Sequence, residues 1–181
     1  MSLELIIGCM FSGKTSELIR RIRRFESIGK KVCVINHNSD TRTDNKIQTH
    51  YGDNVESLKY TDLLNFVNDF PNTQTYDVIC IDEAQFFNDL YIGVCCLVDA
   101  YRLQVIVAGL NGDYKRNPFG EIPKLIPVAD DILMCKAYCG VYKEVDRLAT
   151  FTKRISDSKE QVVVGASDKY VAVCRDCFLK G

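Results

Sequence analysis

Leu5-Ile6-Ile7-Gly8-Cys9-Met10-Phe11-Ser12-Gly13-Lys14-Thr15 is an apolar run that ends in GxxxxGKT and leads into a helical pattern. That spacing predicts a phosphate-binding loop between a buried strand and a helix. The glycines let consecutive backbone N–H groups curl around an anion, and the helix that follows points its positive end at the same place. Lys14 then reaches the β- and γ-phosphates of a nucleotide, and the Thr15 hydroxyl ligates Mg²⁺. The competing reading makes Gly8 and Gly13 mere turn formers and Lys14 a solvated charge. It leaves unexplained why strand, loop and helix fall in the order the motif requires.

Outward from the loop, Leu18, Ile19, Ile22 and Phe25 recur at helical spacing until Gly29 stops the pattern. Val32 to Ile35 reads as a second strand, and Leu63, Leu64, Phe66 and Val67 as a short helix broken at Pro71. Tyr76 to Ile81 and Val105 to Ala108 read as further buried strands, with a helix from Leu90 to Ala100 between them. Alternation of strand and helix predicts an α/β fold, a P-loop parallel sheet with helices on both faces and its ligand at the strands' carboxyl ends. One strand, Val78-Ile79-Cys80-Ile81, runs into Asp82-Glu83. Such a pair alone is as easily a solvated turn, but beside a phosphate loop it delivers a carboxylate to Mg²⁺. From His37 to Tyr51 the periodicity disappears, and Asn38, Ser39 and Asp40 supply turn chemistry, so this stretch reads as a long functional loop. Arg20, Arg21, Arg23 and Arg24 are read as a solvated helix face in preference to a polyanion site.

The chain has 181 residues, enough for one full domain with a small appendage. The expected division is a P-loop α/β unit over 1–130 and a zinc-ribbon and lasso unit over 131–181. A formal net charge of −1 argues against a nucleic-acid partner. Met1-Ser2-Leu3-Glu4 lacks a basic n-region and the apolar run after it is short, so neither a secretory signal nor a membrane span is expected, and the location is read as cytoplasmic. Nine cysteines, an odd number in a chain this long, favour metal binding or burial over a disulfide scaffold. Cys135, Cys139, Cys174 and Cys177 provide the ligand count of a structural Zn²⁺ site, against the reading of four buried thiols. On a strand Cys135 and Cys139 would stand roughly 13 Å apart, so they can share a metal only if the chain turns between them. Cys9, Cys33, Cys80, Cys95 and Cys96 lie in or beside apolar runs and read as packing residues. Tyr114 and Phe119 sit among the loop residues Asn111, Gly112, Asn117, Pro118 and Gly120, where they could seal a core edge or line a flat-ring pocket.

Taken together, GCMFSGKT followed by ELIRR, then SDTR and TH, DEAQFF, GLNGDYKRNPFG, TKR, VGASDKY and CRDC resemble the type II thymidine kinases, cellular, poxviral and bacterial, in the family's own order over almost the whole chain. The resemblance implies that Gly8, Cys9, Met10, Phe11, Ser12, Gly13, Lys14, Thr15, Asp40, Asp82 and Gln85 bind ATP, with Thr15 and Asp82 fixing Mg²⁺. Glu83 becomes the catalytic base, and Arg42 stabilises the transferring phosphoryl group. Met10, Phe86, Leu110, Tyr114, Phe119 and Tyr170 match positions that line the thymine pocket. Thr152, Val162, Val163, Val164 and Gly165 match the lasso that closes over it. The family further implies ATP as donor, thymidine and deoxyuridine as acceptors, thymidine triphosphate as feedback inhibitor, a structural Zn²⁺ and a homotetramer. The chain departs from the pattern in places. Cys9 stands where a proline is common, Tyr142 falls on a usual zinc-ligand position so that Cys135 must substitute, and Asp113 replaces a hydroxyl residue and is expected to point away from the phosphates. Two other readings compete, a P-loop ATPase motor and a zinc-ribbon nucleic-acid binder. Short length, near-neutral charge and aromatic loops favour a small-molecule kinase over both.

Overall fold

The computed structural model describes residues 1–40, 45–49, 52–73, 76–142, 146–156 and 168–180, with backbone only at 71–73. Strand β1 (Ser2–Gly8) enters the phosphate loop, which opens helix α1 (Lys14–Ser27). There follow β2 (Val32–His37), β3 (Lys46–Gln48), β4 (Asn54–Glu56), β5 (Leu58–Tyr60), α2 (Leu63–Thr73) and β6 (Val78–Asp82). Next come α3 (Leu90–Cys95), extended by a π-turn over Cys96–Ala100, then β7 (Gln104–Gly109), α4 (Ile122–Leu125) and β8 (Asp131–Cys135). The chain finishes with β9 (Ala137–Tyr138), β10 (Leu148–Ala149), β11 (Phe151–Arg154), β12 (Tyr170–Val173) and α5 (Arg175–Leu179).

Among the described residues, six strands form one sheet in the order β5-β2-β6-β7-β1-β8. Every pairing in it is parallel. Because successive side chains point to opposite faces, each central strand serves two cores. Leu3, Leu5, Ile7, Ile35, Ile79, Ile81, Val105 and Val107 pack with Leu63 and Phe66 of α2 and Leu90 and Val94 of α3. Ile6, Val34, Cys80, Ile106 and Ala108 face the other way, against Leu18, Ile19 and Ile22 of α1 and Ile47 of β3. The phosphate loop, Asp82 and Gly109 all lie at carboxyl ends of this sheet, which is where a parallel sheet leaves an open crevice.

The basic run on α1 is largely neutralised. Glu17 takes hydrogen bonds from Arg20 at 2.6 Å and Arg21 at 2.8 Å, Arg21 also reaches Glu4, and Arg23 pairs with Asp53 at 3.3 Å. The Arg20 hydrogen bond, with that of Arg21, holds the Glu17 carboxyl down at about 2 against its partial burial.

Several elements differ from the sequence reading. The stretch taken as one loop contains β3, which pairs antiparallel with β4, and β5 adds an edge to the main sheet. These strands are three residues long with Ile47 the one buried apolar side chain of the β3–β4 pair, too little for periodicity to register. Helix α2 runs two residues past Pro71, which lies in its last turn. Strand β8 falls in the stretch assigned to the second unit, yet it pairs with β1, so the main sheet extends to Cys135.

Candidate active site

The phosphate loop is shaped by close approach. A Cβ on Gly8 would sit 2.3 Å from the Cys135 carbonyl oxygen, and Gly13 takes φ 79° at the start of α1. Inside the loop the Ser12 hydroxyl and the Lys14 ammonium both donate to the Cys9 carbonyl, at 2.8 and 2.7 Å. Burial draws the Lys14 pKa down, opposed by the nearby charges of Glu83 and Asp82. Outside the loop, the Met10 N–H donates to the Thr152 hydroxyl at 2.9 Å and the Cys9 thiol to the Ala149 carbonyl at 3.5 Å. The loop's first half is therefore fastened to β11 and its neighbour.

Thr15 and Asp82 meet as the motif requires, with the hydroxyl donating to Oδ2 at 2.9 Å. Asp82 is buried at the end of β6, and its other oxygen accepts the Glu83 N–H at 2.9 Å. Burial, reinforced by the Glu83 charge, raises the Asp82 pKa well above the usual carboxylate range. Glu83 itself has φ 49°, a left-handed conformation that costs a non-glycine residue about 1–2 kcal/mol. This conformation ends β6 at Asp82 and opens the single 3₁₀ turn Ala84–Phe86, with the two carboxylates on consecutive residues. Gln85 continues the line. Its Nε2 donates to Glu83 Oε2 at 2.6 Å and its Oε1 accepts the Leu110 N–H at 2.9 Å. A Cβ on Gly109 would meet Gln85 Oε1 at 2.6 Å, so glycine there makes room for the buried amide.

The ring residues gather beyond Leu110. Phe86 and Phe119 stand edge to face with centroids 5.8 Å apart. The Arg154 guanidinium lies 3.8 Å from the Tyr114 ring centroid and donates to the Tyr170 hydroxyl at 2.5 Å. Arg154 was not singled out from the sequence, although the TKR stretch that contains it was. Asp113 turns into its own loop as expected, accepting the N–H groups of Lys115 and Asn117 at 2.8 Å each. Asp40 is buried near the end of β2 and accepts from the Asn36 amide at 2.9 Å. Arg42, Val162, Val163, Val164 and Gly165 lie outside the described residues.

The cysteine site is smaller than expected. The sulfurs of Cys139, Cys174 and Cys177 lie within 4.8 Å of one another, and they are the metal-capable group among the described residues. Burial disfavours the Cys139 thiolate, but N–H groups of Cys174, Tyr142 and Val141 aimed at its sulfur more than offset this and draw its pKa down. A thiol whose anionic form is stabilised by backbone donors suits a metal thiolate, and the three-sulfur set is compatible with zinc. Cys135 is a correction. As the last residue of β8 it is held opposite Gly8 in the main sheet and packs on the α1 side, away from the cluster. Tyr142, at the position of a usual ligand, instead packs on the ribbon beneath the Arg147 guanidinium.

A phosphate-loop parallel sheet whose Thr15 hydroxyl meets a buried aspartate, with a second carboxylate and a group of aromatic rings nearby, has the parts of a nucleotide-dependent phosphotransferase. The family model for thymidine kinase matches residues 1–178. The chain is 41% identical to the thymidine kinase of Amsacta moorei entomopoxvirus, with 98% of each covered. It is 39% identical to the cytosolic thymidine kinase of Homo sapiens over 98% of this chain and 73% of that protein. With the thymidine kinase of vaccinia virus (strain Western Reserve) it shares 38% identity over 98% and 96%. The chain belongs to the thymidine kinase family, which makes it an ATP-dependent nucleoside kinase.

Proposed function

We propose that the chain transfers the γ-phosphate of ATP to the 5′-hydroxyl of thymidine and of deoxyuridine, a salvage step toward DNA synthesis. The observation that carries this is the hydrogen-bonded line Thr15–Asp82–Glu83–Gln85–Leu110, which joins the donor loop to the ring-lined cleft. Lys14 and the loop N–H groups hold the triphosphate. The Thr15 hydroxyl and Asp82 carboxylate are hard oxygens that fit Mg²⁺, which when bound neutralises charge on the β- and γ-phosphates. Glu83 accepts the 5′-hydroxyl proton as that oxygen attacks the γ-phosphorus and the bond to the β-γ bridging oxygen of ADP breaks. Arg42, delivered with Asp40, stabilises the equatorial charge.

Met10, Phe86, Leu110, Tyr114, Phe119 and Tyr170 wall the base, with Thr152 beside Met10, while the backbone over Val162, Val163, Val164 and Gly165 reads its edge. A pocket sized for one six-membered ring excludes purines by overlap. Cytosine presents a donor where thymine presents an acceptor, leaving a buried N–H unpaired at a cost of about 1–3 kcal/mol. Assay of phosphate transfer from ATP across a nucleoside panel is therefore expected to show thymidine and deoxyuridine as acceptors. Deoxycytidine should be weaker by roughly one to two orders of magnitude and purine nucleosides silent. Equal use of deoxycytidine or deoxyguanosine would refute the pocket assignment, and hydrolysis without any acceptor would favour an ATPase.

Cys139, Cys174 and Cys177 hold one structural Zn²⁺ in this reading. Elemental analysis should find one zinc per chain, and Cys177→Ser should release it and lower Tm by roughly 10 °C, as expected for loss of a small ribbon's metal. Cys135→Ser should keep the zinc. Full retention of zinc by Cys177→Ser would reject the site. The exposed apolar residues Ile132, Leu133 and Met134 on edge strand β8 support a homotetramer. Thymidine triphosphate as feedback inhibitor rests on the family likeness. No helix among the described residues is long and apolar enough to cross a membrane, and the cytosolic designation of the human relative supports a cytoplasmic location.

A further inference from the structure

His37 ends β2 and is buried, yet no step above uses it. Its ring stands edge-on to Phe87 with centroids 4.7 Å apart, and 5.7 Å from Phe86, the residue proposed above to wall the base. Its two nitrogens have different partners. Nδ1 accepts the Ser39 N–H at 3.0 Å, and Nε2 lies 3.1 Å from the Thr61 carbonyl oxygen, so the proton belongs on Nε2. The backbone is tied to the same turn, because the His37 carbonyl accepts the Asp40 N–H at 3.0 Å and Asn36 holds both the His37 N–H and the Asp40 carboxylate. One side chain thus touches both the turn that presents Asp40 and the ring that faces the base.

We propose that His37, as a neutral imidazole protonated on Nε2, is a positioning residue with two separable effects: its Nδ1 sets the turn that delivers Asp40, and its ring sets Phe86. The proposal rests on the thymidine kinase reading of the cleft. Burial favours the neutral ring, outweighing the Thr61 carbonyl, Asp62 and Asp89, while the Lys59 charge acts in the same direction as burial. An acceptor at the Nδ1 position is geometrically available from the Oδ1 of asparagine, and a ring without the acceptor from phenylalanine. The two substitutions therefore divide the functions.

His37→Phe should keep the Phe86 contact and lose the Ser39 bond, lowering kcat by about tenfold with thymidine KM little changed, since sub-ångström misplacement of a phosphoryl-side group is costly. His37→Asn should do the reverse, raising thymidine KM by about tenfold while kcat holds. KM for ATP should hold in His37→Asn and rise by no more than a few-fold in His37→Phe, whose shifted Asp40 lies on the donor side. Parallel changes in kcat, KM and Tm in the two variants would mark a purely structural residue and overturn the proposal, as would wild-type constants in both. Imidazole ¹⁵N spectra of the wild-type protein give a test that needs no variant at position 37. The chain has two histidines, so a His50→Gln spectrum assigns them. The expected result at pH 7.5 is the Nε2–H form, with shifts on adding thymidine; the Nδ1–H form or an imidazolium overturns it. A wild-type protein that phosphorylates no nucleoside would instead remove the underlying reading, while leaving the tautomer measurement to stand by itself.

Discussion

Lys14→Ala is expected to cut kcat/KM for phosphoryl transfer by about 10³-fold, roughly 4 kcal/mol of transition-state stabilisation. The reason lies in what the ammonium touches. Its hydrogen bond goes to the Cys9 carbonyl inside the phosphate loop, and its electrostatic neighbours are Glu83 and Asp82. None of these contacts belongs to either face of the sheet core, so the substitution removes charge from the donor site and leaves packing intact. Alanine also relieves a buried cation, which offsets the lost hydrogen bond. Thermal unfolding should therefore shift by no more than about 3 °C. Activity and Tm falling together would show that Lys14 holds the loop fold rather than the nucleotide.

Glu83→Gln should lower kcat by roughly 10²–10⁴-fold, the range for loss of a general base, while ATP binding survives. Glutamine preserves the shape of the site. It can adopt the same left-handed backbone at equal cost, and its amide oxygen can accept from Gln85 Nε2 as Glu83 Oε2 does now. What it cannot do is take the proton from the 5′-hydroxyl. Nucleotide affinity measured by calorimetry and turnover measured with saturating thymidine separate the two effects. A variant with normal turnover would move the base to another group.

The donor half of this site could be read from the sequence because its parts are contiguous. GxxxxGKT and the apolar run into Asp82-Glu83 each carry their own structural context, and the Thr15–Asp82 hydrogen bond closes across the carboxyl end of β7, which lies between β1 and β6. The parallel sheet was legible for the same reason, since Ile79, Ile81, Val105 and Val107 stand in long apolar runs. Strands β3, β4 and β5 were not, because three residues with one or no buried side chain have no period to detect. Cys135 misled for a related cause. Spacing counts residues along the chain, whereas pairing of Gly8 with Cys135 pulls β8 into the sheet and away from the other sulfurs. Arg154 was invisible as a site residue because its role arises from two rings, Tyr114 and Tyr170, far from each other in sequence.

Strand β1 lies between β7 and β8, with Ile7 opposite Gly109 and Gly8 opposite Cys135. Strand β1 leaves the ribosome well before either of its partners and is thus among the last of the sheet's strands to find its neighbours. At 5–20 residues per second, roughly 5–20 s separate synthesis of Ile7 from synthesis of its partner on β7. During that interval Leu5, Ile6 and Ile7, almost fully buried in the finished protein, have no sheet to enter. Nascent chains arrested before residue 104 should accordingly bind chaperones through the β1 segment, and nucleotide should begin to protect the chain from protease once β7 and β8 have emerged.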